Sequence, residues 1–475
     1  MYYRLKEPWA FRGWKKLPFA LCAMQGEHRH DEPMFMEKEP FLELLSCNGE
    51  EDVDIAALSE ATRRIITGLV EGGVLEQSDT PLPPLAAFQH YHIYPSKRLR
   101  SAHWSITGKC NYNCRHCLLS ASDVSQPQLS LEECLHIVDE IAICGINRVD
   151  ITGGEPLLRQ DFEQIVQSLS KHGIPIGVLF TNGSLVTADT LDMLERNHQH
   201  PAFQISFDGL GYHDWLRNVP GSEKRADKAF RLIKERGFQA YAAMCIHKKN
   251  KDSLRDTVNY LAGVGVEKIK VNAPQYLGTW KEYAGEYALS DDEIWEVYRE
   301  YIPYYFSDGM PVTIELDGYF HCEKGKKDYK IPFVHKGAKA EDLSECPYCE
   351  SVCYNIYITS DGRLTPCMGF SETALKDRFP SILEHPLADL TLDSYWNDVV
   401  QTKVSELVRK NPECAACAYL TECRGGCMVD GITDEGDYLV PDPHCCYFHR
   451  HIGETSVRDI ADAAIVKSSN NSKRS

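Results

Sequence analysis

The chain has 475 residues, too long for one ordinary domain, and its 43% apolar and 25% charged residues are the balance of a globular protein with a sizeable core. A formal net charge of −18 repels phosphate backbones and argues against a nucleic-acid partner, while leaving room for a basic peptide or a basic reductase. No apolar run reaches membrane-spanning length, the charges from Arg4 to Lys16 exclude a secretory signal, and 19 cysteines, an odd count, point to metal ligation in a reducing cytoplasm rather than to disulfides.

Residues 1–80 read as a first unit. Leu17 to Ala23 is strand-like, Glu39 to Cys47 is a short helix stopped by Asn48-Gly49, and Ile55 to Leu58 starts another. Ala61 to Gly72 repeats Ile65, Ile66, Leu69 and Val70 at helical spacing, and Val74-Leu75-Glu76 follows as a wing strand. This helix–helix–wing order resembles the PqqD-like domains that bind leader peptides. A winged-helix-like cap without a ligand fits the same pattern. Residues 81–100 form a linker that begins with the stiff stretch Thr80 to Pro84; His90, Tyr91 and His92 read as packing or surface residues.

Next comes Cys110-Asn111-Tyr112-Asn113-Cys114-Arg115-His116-Cys117, three thiols spaced C-x3-C-x2-C after the strand-like run Ala102 to Thr107. Three thiolates in one loop hold three corners of a [4Fe–4S] cube and leave the fourth iron open to a small chelate such as the amino and carboxylate groups of S-adenosylmethionine (SAM). Part of a zinc site and a redox thiol group are the rival readings.

From 101 to 305 strand and helix alternate, the pattern of parallel β/α units. Strands at 104–107, 148–152, 176–180, 203–207, 240–246 and 268–272 alternate with helices that start at 130, 161, 188, 226 and 254. Chemistry-bearing residues fall at the strands' C-terminal ends, where parallel barrels assemble active sites. Gly153-Gly154-Glu155-Pro156 follows the second strand, Asn182 the third, and Ser206-Phe207-Asp208-Gly209 the fourth.

The Cys loop, the Gly-Gly-Glu-Pro segment and the Ser-Phe-Asp-Gly segment, in this order, resemble the radical SAM superfamily. The resemblance implies a partial (β/α)6 barrel with Gly153, Gly154 and Glu155 at the SAM amino group, Glu155 accepting from the ammonium. It further implies His116 at the adenine, and Ser206 and Arg217 at the ribose and carboxylate. Asn182 suits the same pocket, and equally the capping of a turn before Gly183.

In the C-terminal third, Cys414-x2-Cys417-x5-Cys423-x3-Cys427 has the spacing of SPASM domains, with Gly362-x4-Cys367 and the trio Cys346, Cys349 and Cys353 upstream and Cys445-Cys446 downstream. That resemblance implies two auxiliary [4Fe–4S] clusters. Cys414, Cys417, Cys423 and Cys445 would hold one; Cys367, Cys427 and two of the upstream trio would hold the other, leaving one of the trio and one of the Cys445/Cys446 pair surplus. Cys22, Cys47, Cys134, Cys144, Cys245 and Cys322 read as small buried residues. Trp280, Trp295, Tyr298, Tyr301, Tyr304 and Tyr305 read as core, and the polar stretch Ser468 to Ser475 as disordered.

The expected protein is therefore α/β: a winged-helix-like domain (1–80), a linker (81–100), a partial (β/α)6 radical SAM barrel (101–305), a Cys-rich SPASM domain (306–452) and a tail (453–475). It would carry three [4Fe–4S] clusters, one SAM-binding and two auxiliary, together with SAM, and work under anaerobic conditions. The resemblance implies a maturase of a ribosomally made precursor peptide bound through its leader and reduced by a flavodoxin or ferredoxin. The product would be an intrapeptide crosslink, first a Cys thioether, with carbon–carbon or carbon–oxygen links or epimerisation as alternatives. A sulfatase-maturing enzyme would carry Asp after the G-x4-C cysteine, where this chain has Met368. A non-enzymatic electron carrier would not need Gly153 to Pro156. No side chain stands out as the catalytic base.

Overall fold

The structure is a computed structural model that describes residues 1–24, 32–121, 127–337 and 340–471. The chain divides into two compact units, one of residues 1–99 with 140–147 and 386–393, the other of the remainder.

In the first unit β1 (Tyr2–Leu5) lies between β5 (Asn48–Asp52) and β6 (Leu75–Ser78), antiparallel to both. A second sheet has the order β4 (Met34–Phe35), β3 (Leu17–Ala23), β2 (Trp9–Trp14), β7 (His92–Tyr94). Helices α1 (Lys38–Leu44) and α2 (Glu60–Glu71) bury Phe41, Leu44, Ile66 and Leu69 with Leu5, Phe11, Leu21 and Leu75. Ser59 caps α2 by accepting from Thr62 N at 3.2 Å. Two expectations change here. The helix expected over Glu39 to Cys47 already ends at Leu44, and Asn48-Gly49 opens β5 instead, because β1 supplies ladder partners there. Residues 92–94 are not linker: they pair with β2 in parallel, and the Tyr91 hydroxyl donates to Pro18 O at 2.7 Å.

The second unit is built on one eleven-stranded sheet. Its strands β8 (Ser101–Ser105), β9 (Val149–Thr152), β10 (Ile176–Thr181), β11 (Ala202–Ser206), β12 (Ala240–Cys245), β13 (Lys268–Asn272) and β14 (Thr313–Leu316) run parallel in chain order. The crossovers carry α3 (Leu131–Ile143), α4 (Phe162–Lys171), α5 (Ala188–Arg196), α6 (His213–Arg217), α7 (Ser222–Glu235) and α8 (Leu254–Val264). Each long helix turns an apolar stripe to the sheet; α4, for example, buries Phe162, Ile165, Val166 and Leu169. This is the expected partial barrel of parallel strands.

The sheet continues past it. β15 (Phe320–Cys322) and β16 (Tyr329–Lys330) extend β14 in antiparallel fashion. At the opposite edge β17 (Asn355–Ile358) joins β8 in parallel and carries β18 (Leu364–Thr365). The boundary expected at 305 thus falls inside one hydrogen-bonded sheet. The C-terminal helix Gly453–Asn471 packs on helix Asp291–Ser307. Ser468 to Asn471, expected to be disordered, belong to that helix; residues 472–475 lie outside the described residues. Among the described residues no helix is long and apolar enough to cross a membrane.

Candidate active site

The Cys loop leaves the end of β8 and is held against the segment after β9. Gly154 N donates to Thr107 O at 2.8 Å and Glu155 N to Lys109 O at 2.9 Å. A Cβ on Gly153 or Gly154 would overlap the carbonyls of Thr107 and Lys109, so this close approach requires glycine. Burial pushes the Cys110 thiol up to about 12, and the Cys114 and Cys117 thiols add to that shift as neighbours. Burial likewise raises Cys114 and Cys117. Thiols in this setting hold their protons until a metal displaces them.

Glu155 is fully buried. Its carboxylate accepts from Thr181 Oγ1 at 2.8 and 3.0 Å, from Asn182 N at 2.8 Å and from Leu157 N at 3.1 Å. Burial outweighs these bonds and raises its pKa to about 7. These bonds tie Glu155 to the turn after β10. Gly153 and Gly154 line the cavity described below, and Glu155 is not among its lining residues. Asn182 Oδ1 accepts from Ser184 N at 2.9 Å in the turn, while its Nδ2 donates to Asn111 Oδ1 of the Cys loop at 2.9 Å, and it lines the cavity.

Arg217, at the end of α6, donates to both carboxylate oxygens of Asp208 at 2.7 and 3.0 Å, and its Nη1 is 3.8 Å from Cys114 Sγ. Asp208 is fully buried and also receives Cys245 N at 3.1 Å. Burial alone would raise its pKa, but the guanidinium and His213 overcome this and hold it well below the usual carboxylate range. His116 Nδ1 is buried without a partner among the described residues on the cavity wall, and burial lowers that imidazole to about 3, so the ring is neutral. Ser206 lines the same wall at the end of β11.

Sequence reasoning missed two members of this group. Asp208 was part of a motif without a role of its own. Cys245, expected to be a small buried residue, stands at the C-terminal end of β12 on the cavity wall, within 4.8 Å of ligand atoms of His116 and Asp208.

The cavity measures about 1360 Å³, above the ~300–1,000 Å³ of ordinary small-molecule pockets. Its lining includes Cys110, Cys114 and Cys117 of the Cys loop together with Cys427, Cys445, Asp430 and Asp442. Of the expected core aromatics, Trp280 and Tyr298 are buried and also line this cavity, whereas Tyr304 is 48% exposed.

The C-terminal cysteines fall into two groups. Cys367 is within electrostatic reach of Cys349, and Cys427 of Cys367. Cys414 senses Cys417 and Cys446, and Cys423 lies 3.7 Å from Cys445 Sγ while also bonding Cys446. His449, which sequence reasoning did not single out, converges with Cys423 and Cys445 within 4.8 Å. Cys353 departs from its group: its thiol is directed to the carbonyls of Cys349 at 3.5 Å and Val400 at 3.3 Å. The donor sets fit soft iron–sulfur centres. At the Cys loop, the orphaned His116 Nδ1 and the glycine-lined approach also fit a bound small molecule.

The description "Radical SAM superfamily" matches residues 104–261. The second unit carries a radical SAM domain. The chain is 25% identical over 368 residues to the AdoMet-dependent heme synthase of Methanosarcina barkeri, covering 72% of this chain and 95% of that one. It is 27% identical over 355 residues to the mycofactocin maturase MftC of Mycobacterium tuberculosis, covering 73% and 82%. Among solved structures, Streptococcus suis SuiB bound to precursor peptide SuiA superposes with a TM-score of 0.66 at 16% identity, over 93% of this chain and 99% of that one, a likeness of fold.

Proposed function

We propose that this protein is a radical SAM maturase of a ribosomally made peptide. The observation that carries the proposal is the cavity of about 1360 Å³ lined by the Cys110 loop together with Cys427 and Cys445, with room for a peptide segment beside a nucleoside-sized cofactor. The maturase name of the M. tuberculosis relative supports it, as does a fold likeness to SuiB that, over 93% of the chain, extends into the N-terminal 99 residues. Those residues would bind the peptide's leader, and the expected setting is cytoplasmic.

Cys110, Cys114 and Cys117 would hold a [4Fe–4S] cluster, which together with SAM would supply radical chemistry able to remove a substrate hydrogen. The chain's own residues orient and enclose. Gly153 and Gly154 bring backbone against the loop, Asp208 holds Arg217 beside Cys114, and His116 and Ser206 face the cavity. Cys367 and Cys427 with Cys346 and Cys349 would hold one auxiliary cluster; Cys414, Cys417 and Cys423 with Cys445 or Cys446 would hold the other. The bond formed is first a Cys thioether, then a carbon–carbon or carbon–oxygen link.

The heme synthase relative raises a tetrapyrrole as a rival substrate. A heme-like molecule would bring its own carboxylates to a cavity whose lining carries more carboxylates, among them Asp317, Glu372, Asp430 and Asp434, than the cations Arg217, Lys270 and Lys281, an electrostatic mismatch that a neutral or basic peptide avoids.

The test uses anaerobically reconstituted enzyme, SAM, a reductant and the small peptide encoded beside its gene, read by mass spectrometry with thiol alkylation. Loss of two hydrogens together with an alkylatable thiol is the expected result. The same mass loss with every thiol still alkylatable would move the assignment to a carbon–carbon or carbon–oxygen link. An unchanged peptide mass while 5′-deoxyadenosine accumulates would overturn crosslinking.

A further inference from the structure

The turn between β14 and β15 carries Asp317, Gly318 and Tyr319. Tyr319 N closes it by donating to Leu316 O at 2.8 Å, and Phe333 N donates to Gly318 O at 2.8 Å from outside. Asp317 N donates to Val271 O of β13 at 3.1 Å. The last register pairs of the two strands are Lys270 with Glu315 and Val271 with Leu316. Asn272 and Asp317 therefore stand side by side one step beyond, at the strands' C-terminal ends, and both line the cavity.

This corner of the cavity holds acceptors without donors. Asp317 stays accessible there, yet among the described residues its carboxylate has no hydrogen bond and no ion pair. Asn272 Oδ1 is buried with no partner among the described residues. Tyr319 is 3% exposed, and its ring packs against Tyr298, Phe333 and Phe448. Its hydroxyl, on a residue that lines the cavity, likewise finds no partner among the described residues. The cations that act on Asp317 are committed, Lys270 to Glu315 at 3.2 Å and His444 to Asp291 at 2.6 Å. Burial raises the Asp317 pKa to about 6; Lys270 opposes the shift, and Asp430 and Glu315 add to it. Asp430, held by Gln275 Nε2 at 2.8 Å, lines the same cavity. An enclosed carboxylate beside a second one is relieved by a cation.

We infer that Asp317, with Asn272 and Tyr319, forms a subsite for the side-chain cation of a lysine or arginine in the substrate peptide. An ammonium or guanidinium brings several N–H donors and no acceptor, which matches a carboxylate, an amide oxygen and a hydroxyl oxygen. The inference deepens the peptide reading above and rests on it. Cys245 pairs with Asn272 on the other side of β13, so the subsite anchors the peptide next to the group of Cys245, His116 and Asp208. The cavity thereby selects which peptides enter as well as enclosing them.

The test needs no turnover. The probes are Nα-acetyl-lysine amide, Nα-acetyl-arginine amide and, as the neutral counterpart, Nα-acetyl-glutamine amide. Each is titrated into the anaerobic holoenzyme with SAM, and binding is read by saturation-transfer NMR. The expected result is an affinity about tenfold higher for either cationic amide than for the glutamine amide. That preference is lost in Asp317→Asn and kept in Asp459→Asn, which removes the same charge from an exposed position of the C-terminal helix. Equal affinity of the three amides for wild type, a preference that survives in Asp317→Asn, or its loss in Asp459→Asn would each overturn the inference. Displacement of the lysine amide by magnesium ions would overturn it too, making the corner a metal site. Should Asp317→Asn not fold, as judged by iron content, Tyr319→Phe replaces it. Lysine-amide binding about threefold weaker is then expected, and wild-type affinity overturns the inference. If the peptide encoded beside the gene stays unmodified while the preference holds, the peptide reading fails and the cation subsite stands. A modified peptide without the preference strikes this inference alone.

Discussion

Arg217 grips both oxygens of Asp208, at 2.7 and 3.0 Å, and holds its remaining nitrogen 3.8 Å from the sulfur of Cys114. Asp208 is inaccessible to solvent, so its removal leaves a guanidinium without a counter-charge in a dry site. Asp208→Asn is expected to cost about 3 kcal/mol of folding stability and to weaken SAM binding. Arg217→Lys keeps the charge but loses the two-pronged geometry and falls between wild type and Asp208→Asn. Denaturant unfolding and SAM calorimetry on the anaerobic protein check both; unchanged stability in Asp208→Asn would show that the pair is dispensable.

Glu155 makes stability depend on pH. Its folded pKa of about 7 lies above the ordinary value of 4.5, so the folded state favours the protonated form. The contribution is complete below pH 4.5 and is lost as pH rises to about 7. The upper limit of that loss is roughly 3 kcal/mol. Glu155→Gln keeps an acceptor for Thr181 and Asn182 and cannot ionise, so it flattens the slope. Unfolding curves at several pH values between 5 and 7 compare the two; identical slopes would refute the assignment.

Iron counts separate ligands from bystanders. Replacing Cys110, Cys114 and Cys117 together by Ala should remove about a third of the iron of a three-cluster protein. Cys353→Ser should remove none, because that thiol already serves the carbonyls of Cys349 and Val400. Colorimetric iron and sulfide assays decide, and a loss of iron in Cys353→Ser would return it to the ligand set.

Gly278 has φ +54, and a Cβ there would overlap the carbonyl oxygens of Cys117 and Leu118. Gly278→Ala should therefore displace the end of the Cys loop and cost about 1–3 kcal/mol. Gly285→Ala, where nothing lies within 4 Å, should be tolerated. Electron paramagnetic resonance of the reduced proteins with SAM reads the loop directly, and matching spectra for the two variants would contradict this.

The central barrel was legible because β9 to β13 are short strand-like runs, three of the first four turning at Gly153, Asn182 and Asp208, and their neighbours in the sheet are their neighbours in sequence. β1 and β2 were not, since Arg4 and Arg12 interrupt them and β1 finds its partners at 48–52 and 75–78. The three-cysteine spacing announced the loop, but Asp208 needs α6 to bring Arg217 back, and no local pattern records that return. Cys245 was misread because its strand is apolar; only the strand's end point turns it to the cavity.

The pairing of β17 with β8 bears on how the chain is made. β8 leads into the Cys loop, yet one of its edges stays bare until Asn355–Ile358 has been synthesised, more than 250 residues later, and matched to Ser101–Trp104. The loop that binds the first centre is thus among the earliest parts of its domain to leave the ribosome and among the last to be fully framed. A chain stalled or cut before Ile358 would present an open strand edge beside three free thiols, and the sheet around that loop closes only when most of the polypeptide has been made.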